Sequence, residues 1–183
     1  MPVPHAATRT LILFSALLFC IAPVRAEVLD RSTRGFTLSN AVEVPVPPEQ
    51  AWQGLVNDVG QWWPSDHTWF GDASALSIDA RAGGCFCERS GPKEAAHMQV
   101  AYVEPGKLLR MLGALGPLQG MGLNGTLDWK FESIEGGTRI TMWNRVGGYT
   151  PDDLGAFAAV VDRVQAQQLG GLAQHLGGEA GIR

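Results

Sequence analysis

The feature that most constrains the fold is one long amphipathic segment near the end of the chain, residues 151–176. Its apolar side chains recur mostly every three or four positions, which places them on one face of a helix. They are Leu154, Phe157, Ala158, Val161, Val164, Leu169, Leu172 and Leu176. Pro151 suits the first turn, and Gly177 and Gly178 suit the end. A helix with one apolar face must bury that face against another layer of structure.

That other layer is predicted by the alternation of apolar and polar residues between positions 36 and 146. Residues 36–46 alternate cleanly, and a Pro-Pro pair then opens a short helix that runs to about Asn57. The aromatic-rich residues 59–70 follow neither period, and six strands are predicted after them. The sequence therefore predicts an α+β domain over residues 35–178. A curved antiparallel sheet of about seven strands wraps around the last helix, with two short helices after the first strand.

The first 26 residues have the pattern of an export signal. Arg9 supplies a positive charge, residues 11–21 form an apolar run, and Val24 and Ala26 place small residues where a signal peptidase reads them. The run is shorter than the roughly 20 residues of a membrane span, although retention as an interfacial anchor is an alternative. We expect cleavage before Glu27 and a periplasmic or secreted protein with no integral membrane span. Residues 27–34 are expected to form a polar lead-in, and residues 179–183 a frayed tail.

The charge of the chain disfavours nucleic acid and anionic lipid surfaces as partners. Arg9 and Arg25 leave with the signal, so Lys and Arg fall from 14 to 12 against 18 Asp and Glu, a net charge of −6. No basic run occurs, and binding to either polyanion depends on such runs. The partner predicted from the aromatic residues described below is a small apolar or aromatic molecule, and the sequence does not identify a protein partner.

Two cysteines remain after removal of the signal, Cys85 and Cys87. In a regular strand their α-carbons are about 7 Å apart, which is long for a disulfide. Two small buried side chains are therefore favoured over a bridge, although an exported protein also permits a disulfide. Only His97 is near them in sequence, so we predict neither a metal nor another cofactor.

Several local signatures, in this order of elements, resemble the helix-grip domains of the SRPBCC superfamily. They are the strand-to-helix junction at 44–52, the Trp62-Trp63-Pro64 triplet, the stretches at 83–88 and 103–110, and the closing helix. The superfamily includes START lipid-transfer domains, polyketide cyclases, plant pathogenesis-related allergens and activators of the Hsp90 ATPase. The resemblance implies a seven-stranded sheet curled around the C-terminal helix, with an apolar tunnel between them. It does not select a function, because the superfamily contains binders, transfer proteins and enzymes.

The inward-facing positions of such a fold are candidate walls of a binding cavity, although ordinary core packing is the alternative for each. The aromatic residues between 62 and 70 suggest a gate at the cavity mouth. The glycine-rich connection at 113–125 suggests a flexible flap that carries Leu115, Leu118 and Met121. The candidate ligand-binding residues are Trp63, His67, Trp69, Phe86, Glu88, Trp129, Phe131, Met142, Asn144 and Phe157.

Polar residues on the inward faces are the most informative candidates. Asn40, Glu88 and Asn144 share the apolar side of their strands, where an unpartnered polar group costs about 1–3 kcal/mol. Glu88 must therefore be paired, protonated or held for a ligand, unless its strand is shifted so that it faces water. His67, beside Asp66, is a candidate acid or base, but no nucleophile motif accompanies it.

Three functions follow from these observations. The first is an exported protein that binds a hydrophobic or lipid-like molecule in an aromatic-lined cavity, and the absence of a complete catalytic set favours it. The second is a cyclase- or hydratase-type enzyme in which Glu88 and His67 act as acid–base partners across one cavity. The third is a protein-interaction module, as in the chaperone activators, but those act on a cytosolic ATPase and the export signal argues against it.

Overall fold

A computed structural model of the chain describes residues 25–178, and the side chains from Glu27 onward. Most of the predicted export signal and the predicted tail lie outside these residues. Eight strands form one antiparallel sheet in the order β1-β2-β8-β7-β6-β5-β4-β3. They are β1 (Arg25–Ser32), β2 (Gly35–Val44), β3 (Leu76–Ile78), β4 (Cys85–Ser90), β5 (Lys93–Glu104), β6 (Leu108–Gly113), β7 (Asn124–Ile134) and β8 (Gly137–Gly147). The predicted α+β fold, a curved antiparallel sheet with a long C-terminal helix, is confirmed.

Within the described residues, four α-helices accompany the sheet: α1 (Pro48–Asn57), α2 (Val59–Trp62), α3 (Pro117–Gly120) and α4 (Leu154–His175). Two short 3-10 helices, Ser65–His67 and Ala73–Ala75, lie between α2 and β3. The long helix α4 begins three residues later than predicted, because the Asp153 carboxylate accepts a hydrogen bond from the Gly155 N–H and caps the helix there (2.9 Å). Its C-terminal end is followed by Gly177 at φ +77°, a conformation that favours glycine. No helix within residues 25–178 is long and apolar enough to cross a membrane.

The predicted polar lead-in is in fact the edge strand β1, so the sheet has eight strands rather than about seven. β1 pairs antiparallel with β2, and its side chains from Glu27 to Ser32 are exposed or half-buried. An edge strand with little buried surface carries no apolar alternation, and for that reason its sequence was predicted to be irregular.

The interior contains two apolar clusters on the inner face of the sheet. In the larger one, rings from α1 and α2 pack against β7: Trp62 lies against Trp129 with ring centroids 6.1 Å apart, and Trp52 lies against Phe131 at 5.8 Å. The smaller cluster joins the start of α4 to β2 and to the connection before β7, and it includes Leu154, Leu38 and Leu118. The cavity described below takes side chains from both clusters.

Cys85 and Cys87 form a disulfide, which corrects the prediction of two separate buried side chains. The pairing of β4 with β5 shifts register between Phe86 and Cys87, as in a β-bulge. The two α-carbons lie 5.5 Å apart, within the range that a disulfide spans. The predicted spacing was too long because it assumed a regular strand.

Candidate ligand-binding cavity

A cavity of about 440 Å³ lies beneath α4 and opens to solvent at one side. One wall is a single stripe of α4 side chains, spaced three or four positions apart as one face of a helix requires. The stripe consists of Phe157, Val160, Val161, Val164, Gln165 and Gln168. Exposure falls along the stripe from the mouth inward, from 54% at Val160 and 36% at Phe157 to 3% at Gln168 and 1% at Gln165.

The opposite wall is the aromatic loop, residues 63–70, and Glu88 holds its backbone in place. The completely buried Glu88 carboxylate accepts hydrogen bonds from the N–H groups of Trp69 (2.9 Å) and Phe70 (2.7 Å). Trp63 donates from its indole N–H to the His67 carbonyl at 3.2 Å, which ties the two ends of the first turn together. These contacts place Trp63, His67 and the half-exposed Trp69 on the cavity wall.

The third side is the connection between β6 and β7, where Leu115, Leu118 and Met121 line the cavity as the predicted flap would. Gly116, at φ +55°, turns the chain into α3. The side-chain amide of Gln119 donates to the Ala96 carbonyl at 2.8 Å, which fixes α3 to β5. The position predicted for these three side chains is therefore the one observed.

His97 reaches the cavity from β5 and is held by the same carboxylate as the aromatic loop. Its Nε2 lies 3.1 Å from Glu88 Oε2, and its ring packs against Phe86 with centroids 5.0 Å apart. Burial lowers the pKa of His97 below its ordinary value of 6.5, and this effect outweighs the opposing hydrogen bond and charge of Glu88. The lowered pKa favours the neutral form of His97.

Four polar atoms on the cavity wall are buried without a hydrogen-bond partner among the described protein atoms. They are Nε2 and Oε1 of Gln165, Oε1 of Gln168 and Nδ1 of His67. Such atoms cost about 1–3 kcal/mol each when nothing bonds to them. Neither lysine nor arginine lines the cavity within the described part of the chain, and its one carboxylate, Asp66, is on the exposed side of the loop. The wall is thus apolar, with uncharged polar groups at its buried end.

Three solved structures of low sequence identity share this architecture. CalU16 from Micromonospora echinospora is 13% identical, with 87% of this chain and 86% of CalU16 covered at a TM-score of 0.59. The Aha1 dimer from Colwellia psychrerythraea is 17% identical, with coverage of 80% and 98% and a TM-score of 0.56. Ms6760 from Mycobacterium smegmatis is 19% identical, with coverage of 84% and 97% and a TM-score of 0.56.

The chain shares the helix-grip fold with these three structures. The resemblance predicted from the sequence is confirmed at the level of the fold. No family model matches the sequence, and no curated protein matches it.

The helix-grip fold brings only part of the predicted site together. Trp63, His67, Trp69 and Phe157 line the cavity. Six other predicted residues are at most 5% exposed and do not line it, which corrects their placement on the wall; they are Phe86, Glu88, Trp129, Phe131, Met142 and Asn144. For Trp129 and Phe131 the physical reason is that tryptophan rings of α1 and α2 pack over them. For Glu88 it is that the carboxylate is bonded to the backbone of the aromatic loop.

The predicted acid–base pair of Glu88 and His67 is not presented to one cavity. His67 lines the cavity, whereas both oxygens of Glu88 are occupied by Trp69, Phe70 and His97. Nor is Glu88 paired with an arginine, as one alternative predicted. Its interior partner is a histidine.

Among the lining residues that the sequence analysis did not select for the site, three are buried and polar: His97, Gln165 and Gln168. A signal for the two glutamines was present, because Gln165 follows Val161 by four positions and Gln168 follows Val164 by four. Both therefore interrupt the apolar stripe of the helix with a polar side chain. Within residues 25–178, no group of three His, Cys, Asp or Glu side chains is arranged to hold a metal ion.

Proposed function

We propose that this chain binds a small apolar or aromatic molecule in the cavity beneath α4. The observation that carries the proposal is the cavity itself, about 440 Å³ in volume, open at one side and lined mainly by apolar side chains. Pockets with this volume and lining are typical of sites for small organic molecules. Elsewhere on the inner face of the sheet, tryptophan and phenylalanine rings pack against one another. The cavity under α4 is therefore a local feature and does not reflect poor packing of the whole core.

The mouth of the cavity supports the same proposal. Trp69, Phe157 and Val160 are 49%, 36% and 54% exposed, and all three lie on the cavity wall. Large apolar side chains grouped on an open concave surface are typical of a binding site, because they gain from being covered by an apolar ligand.

The proposal is tested by binding of N-phenyl-1-naphthylamine, an uncharged dye whose fluorescence rises in apolar surroundings. We expect saturable binding to the wild-type protein and about fivefold weaker binding to Phe157→Ala, because the dye loses one ring of the mouth. Phe157 is partly exposed, so its truncation is expected to leave the fold intact. Tyr149→Ala removes an aromatic ring that is 92% exposed and does not line the cavity, and it serves as the matched control.

Two results would contradict the proposal. One is the absence of saturable dye binding to the wild-type protein. The other is equal affinity for wild type and Phe157→Ala, which would place the dye elsewhere on the surface.

The enzyme alternative receives no support from the site. A cyclase- or hydratase-type reaction was predicted to use Glu88 and His67, yet Glu88 holds the aromatic loop and does not line the cavity. The protein-interaction alternative has only the likeness to Aha1 behind it, and that likeness extends to the fold alone.

We further propose that the protein is exported with a cleaved signal. The support is the sequence pattern of residues 1–26 together with the Cys85–Cys87 disulfide, since disulfides persist in oxidising compartments. N-terminal sequencing of the exported protein is expected to start at Glu27. A start at the initiating methionine would support the retained anchor instead.

A further inference from the structure

We propose that the buried end of the cavity recognises an uncharged group with a hydrogen-bond donor and an acceptor side by side, such as a carboxamide or lactam, and that Gln165 binds it. The inference rests on the proposed function, because it assigns the polar part of the same ligand. It narrows the ligand class from any hydrophobic molecule to an apolar body with one amide-like end.

The first observation is the state of the Gln165 side chain. It is 1% exposed and lines the cavity, and neither its Nε2 nor its Oε1 has a partner among the described protein atoms. A glutamine amide carries donors on nitrogen and an acceptor oxygen in one plane. A group that satisfies both atoms together must offer an acceptor and a donor with the same spacing, as another amide does.

The second observation is the set of polar atoms around that position. Gln168 is three residues further along α4, so its side chain neighbours that of Gln165, and its Oε1 is also buried without a partner. An acceptor in this place suits the second N–H of a primary carboxamide. His67 Nδ1, on the facing loop, is a further buried and unpartnered ring nitrogen of the same cavity.

The third observation is the absence of a buried counter-charge on the described cavity wall. No lysine or arginine lines it, so a carboxylate at the buried end would be desolvated without compensation. An ammonium group at the buried end would also lack a counter-charge. Asp66 is on the exposed side of the loop, and the Glu88 carboxylate is already bonded by two backbone N–H groups and His97. Charge therefore disfavours a carboxylate or an ammonium group at the buried end, and an uncharged polar end is favoured there.

The test compares three probes with the same ring system in displacement of the dye N-phenyl-1-naphthylamine. 2-Naphthamide carries the uncharged donor and acceptor, 2-isopropylnaphthalene has a similar shape without them, and 2-naphthoate carries a charge. We expect the wild-type protein to bind the amide about tenfold more tightly than the hydrocarbon, and the carboxylate most weakly.

The variant Gln165→Leu is expected to bind amide and hydrocarbon with nearly equal affinity, each measured by displacement against the variant's own affinity for the dye. Retained dye binding also shows that the variant is folded. Gln165→Met, which preserves side-chain length, is a second variant with the same expectation. Gln167→Leu makes the same change at an exposed position two residues along α4, and it is expected to keep the wild-type preference for the amide.

The outcomes separate this inference from the proposed function. If the wild-type protein binds the dye but does not prefer the amide, or if Gln165→Leu keeps the preference, the inference is overturned and the apolar cavity stands. If the dye does not bind the wild-type protein, both are overturned.

Discussion

Glu88 on β4 and Gln165 on α4 are buried to nearly the same extent, at 0% and 1% exposure. The Glu88 carboxylate is bonded by the N–H groups of Trp69 and Phe70 and by His97, whereas the Gln165 amide has no partner among the described protein atoms. A buried polar group with protein partners is explained by folding alone. One without partners is a cost to folding that binding can offset. Burial alone therefore does not separate structural from functional polar residues, and an unpartnered side chain that also lines the cavity is the stronger indication of a functional one.

The largest expected effect comes from replacing the group that has partners. In Glu88→Gln an amide nitrogen takes the place of one carboxylate oxygen, so a donor faces a donor, and the remaining bonds lose the charge that strengthens them. We expect the free energy of unfolding to fall by about 3 kcal/mol, measured by urea denaturation.

Glu94→Gln is the matched control for this change, because Glu94 is an exposed carboxylate on the neighbouring strand β5. We expect its effect to stay within about 0.5 kcal/mol. A loss below about 1 kcal/mol in Glu88→Gln would mean that the Glu88 bonds do not hold the loop, and the contrast with Gln165 would disappear.

A smaller effect of the opposite sign is expected at Gln165. Gln165→Leu removes two unpartnered buried atoms and adds apolar surface, so we expect the free energy of unfolding to rise by about 1–2 kcal/mol. The same urea experiment measures it, and Gln167→Leu is expected to change stability by less than about 0.5 kcal/mol. Destabilisation by Gln165→Leu would show that the amide is already satisfied within the folded chain.

The smallest expected effect is a dependence of the free energy of unfolding on pH, caused by His97. This residue contacts Glu88 and also lines the cavity. Because the folded-state pKa of His97 lies below 6.5, the unfolded chain binds a proton more readily as pH falls through that value. Stability is therefore full above pH 6.5 and is lost on acidification until the lowered pKa is passed. We expect the urea midpoint to fall less between pH 7.5 and 5.5 in His97→Gln than in wild type.

Glu88 is the charged group in direct contact with His97, and it is present in both of these proteins. His175→Gln is the control, since His175 lies beside Asp58 in a more exposed position. Equal pH sensitivity of wild type and His97→Gln would show that another group is responsible.

The sequence predicted the elements of this fold better than it predicted the walls of the cavity. The period of α4 and the alternation of the strands depend on which side of an element is buried, and both were read correctly. The edge strand β1 was missed because it buries little, and the disulfide was missed because a bulge shortens the distance between Cys85 and Cys87.

Strand alternation shows that a residue points inward, but not what it meets there. Trp129 and Met142 point inward as predicted, yet they lie in the packed cluster covered by α1 and α2 rather than on the cavity wall. That outcome depends on where those two helices pack, which is a tertiary property. The two glutamines of α4 could have been predicted from the sequence, because each places a polar side chain within the apolar stripe of the helix. They were not predicted because only the apolar residues of that stripe were considered as candidates.

Two hydrogen-bonded attachments hold the backbone on either side of the cavity, and they bear on how the proposed ligand would enter and leave. Glu88 holds the backbone of the aromatic loop. On the opposite side of the cavity, Gln119 bonds the connection between β6 and β7 to strand β5. We therefore expect a ligand to enter without an outward movement of either segment. The ring of Trp69 stays half-exposed and turns about its own side-chain bonds, a motion of picoseconds to nanoseconds rather than the slower rearrangement of a loop. For the ligand proposed above, we therefore expect the residence time to depend on how well the molecule fits the cavity rather than on the opening of a loop.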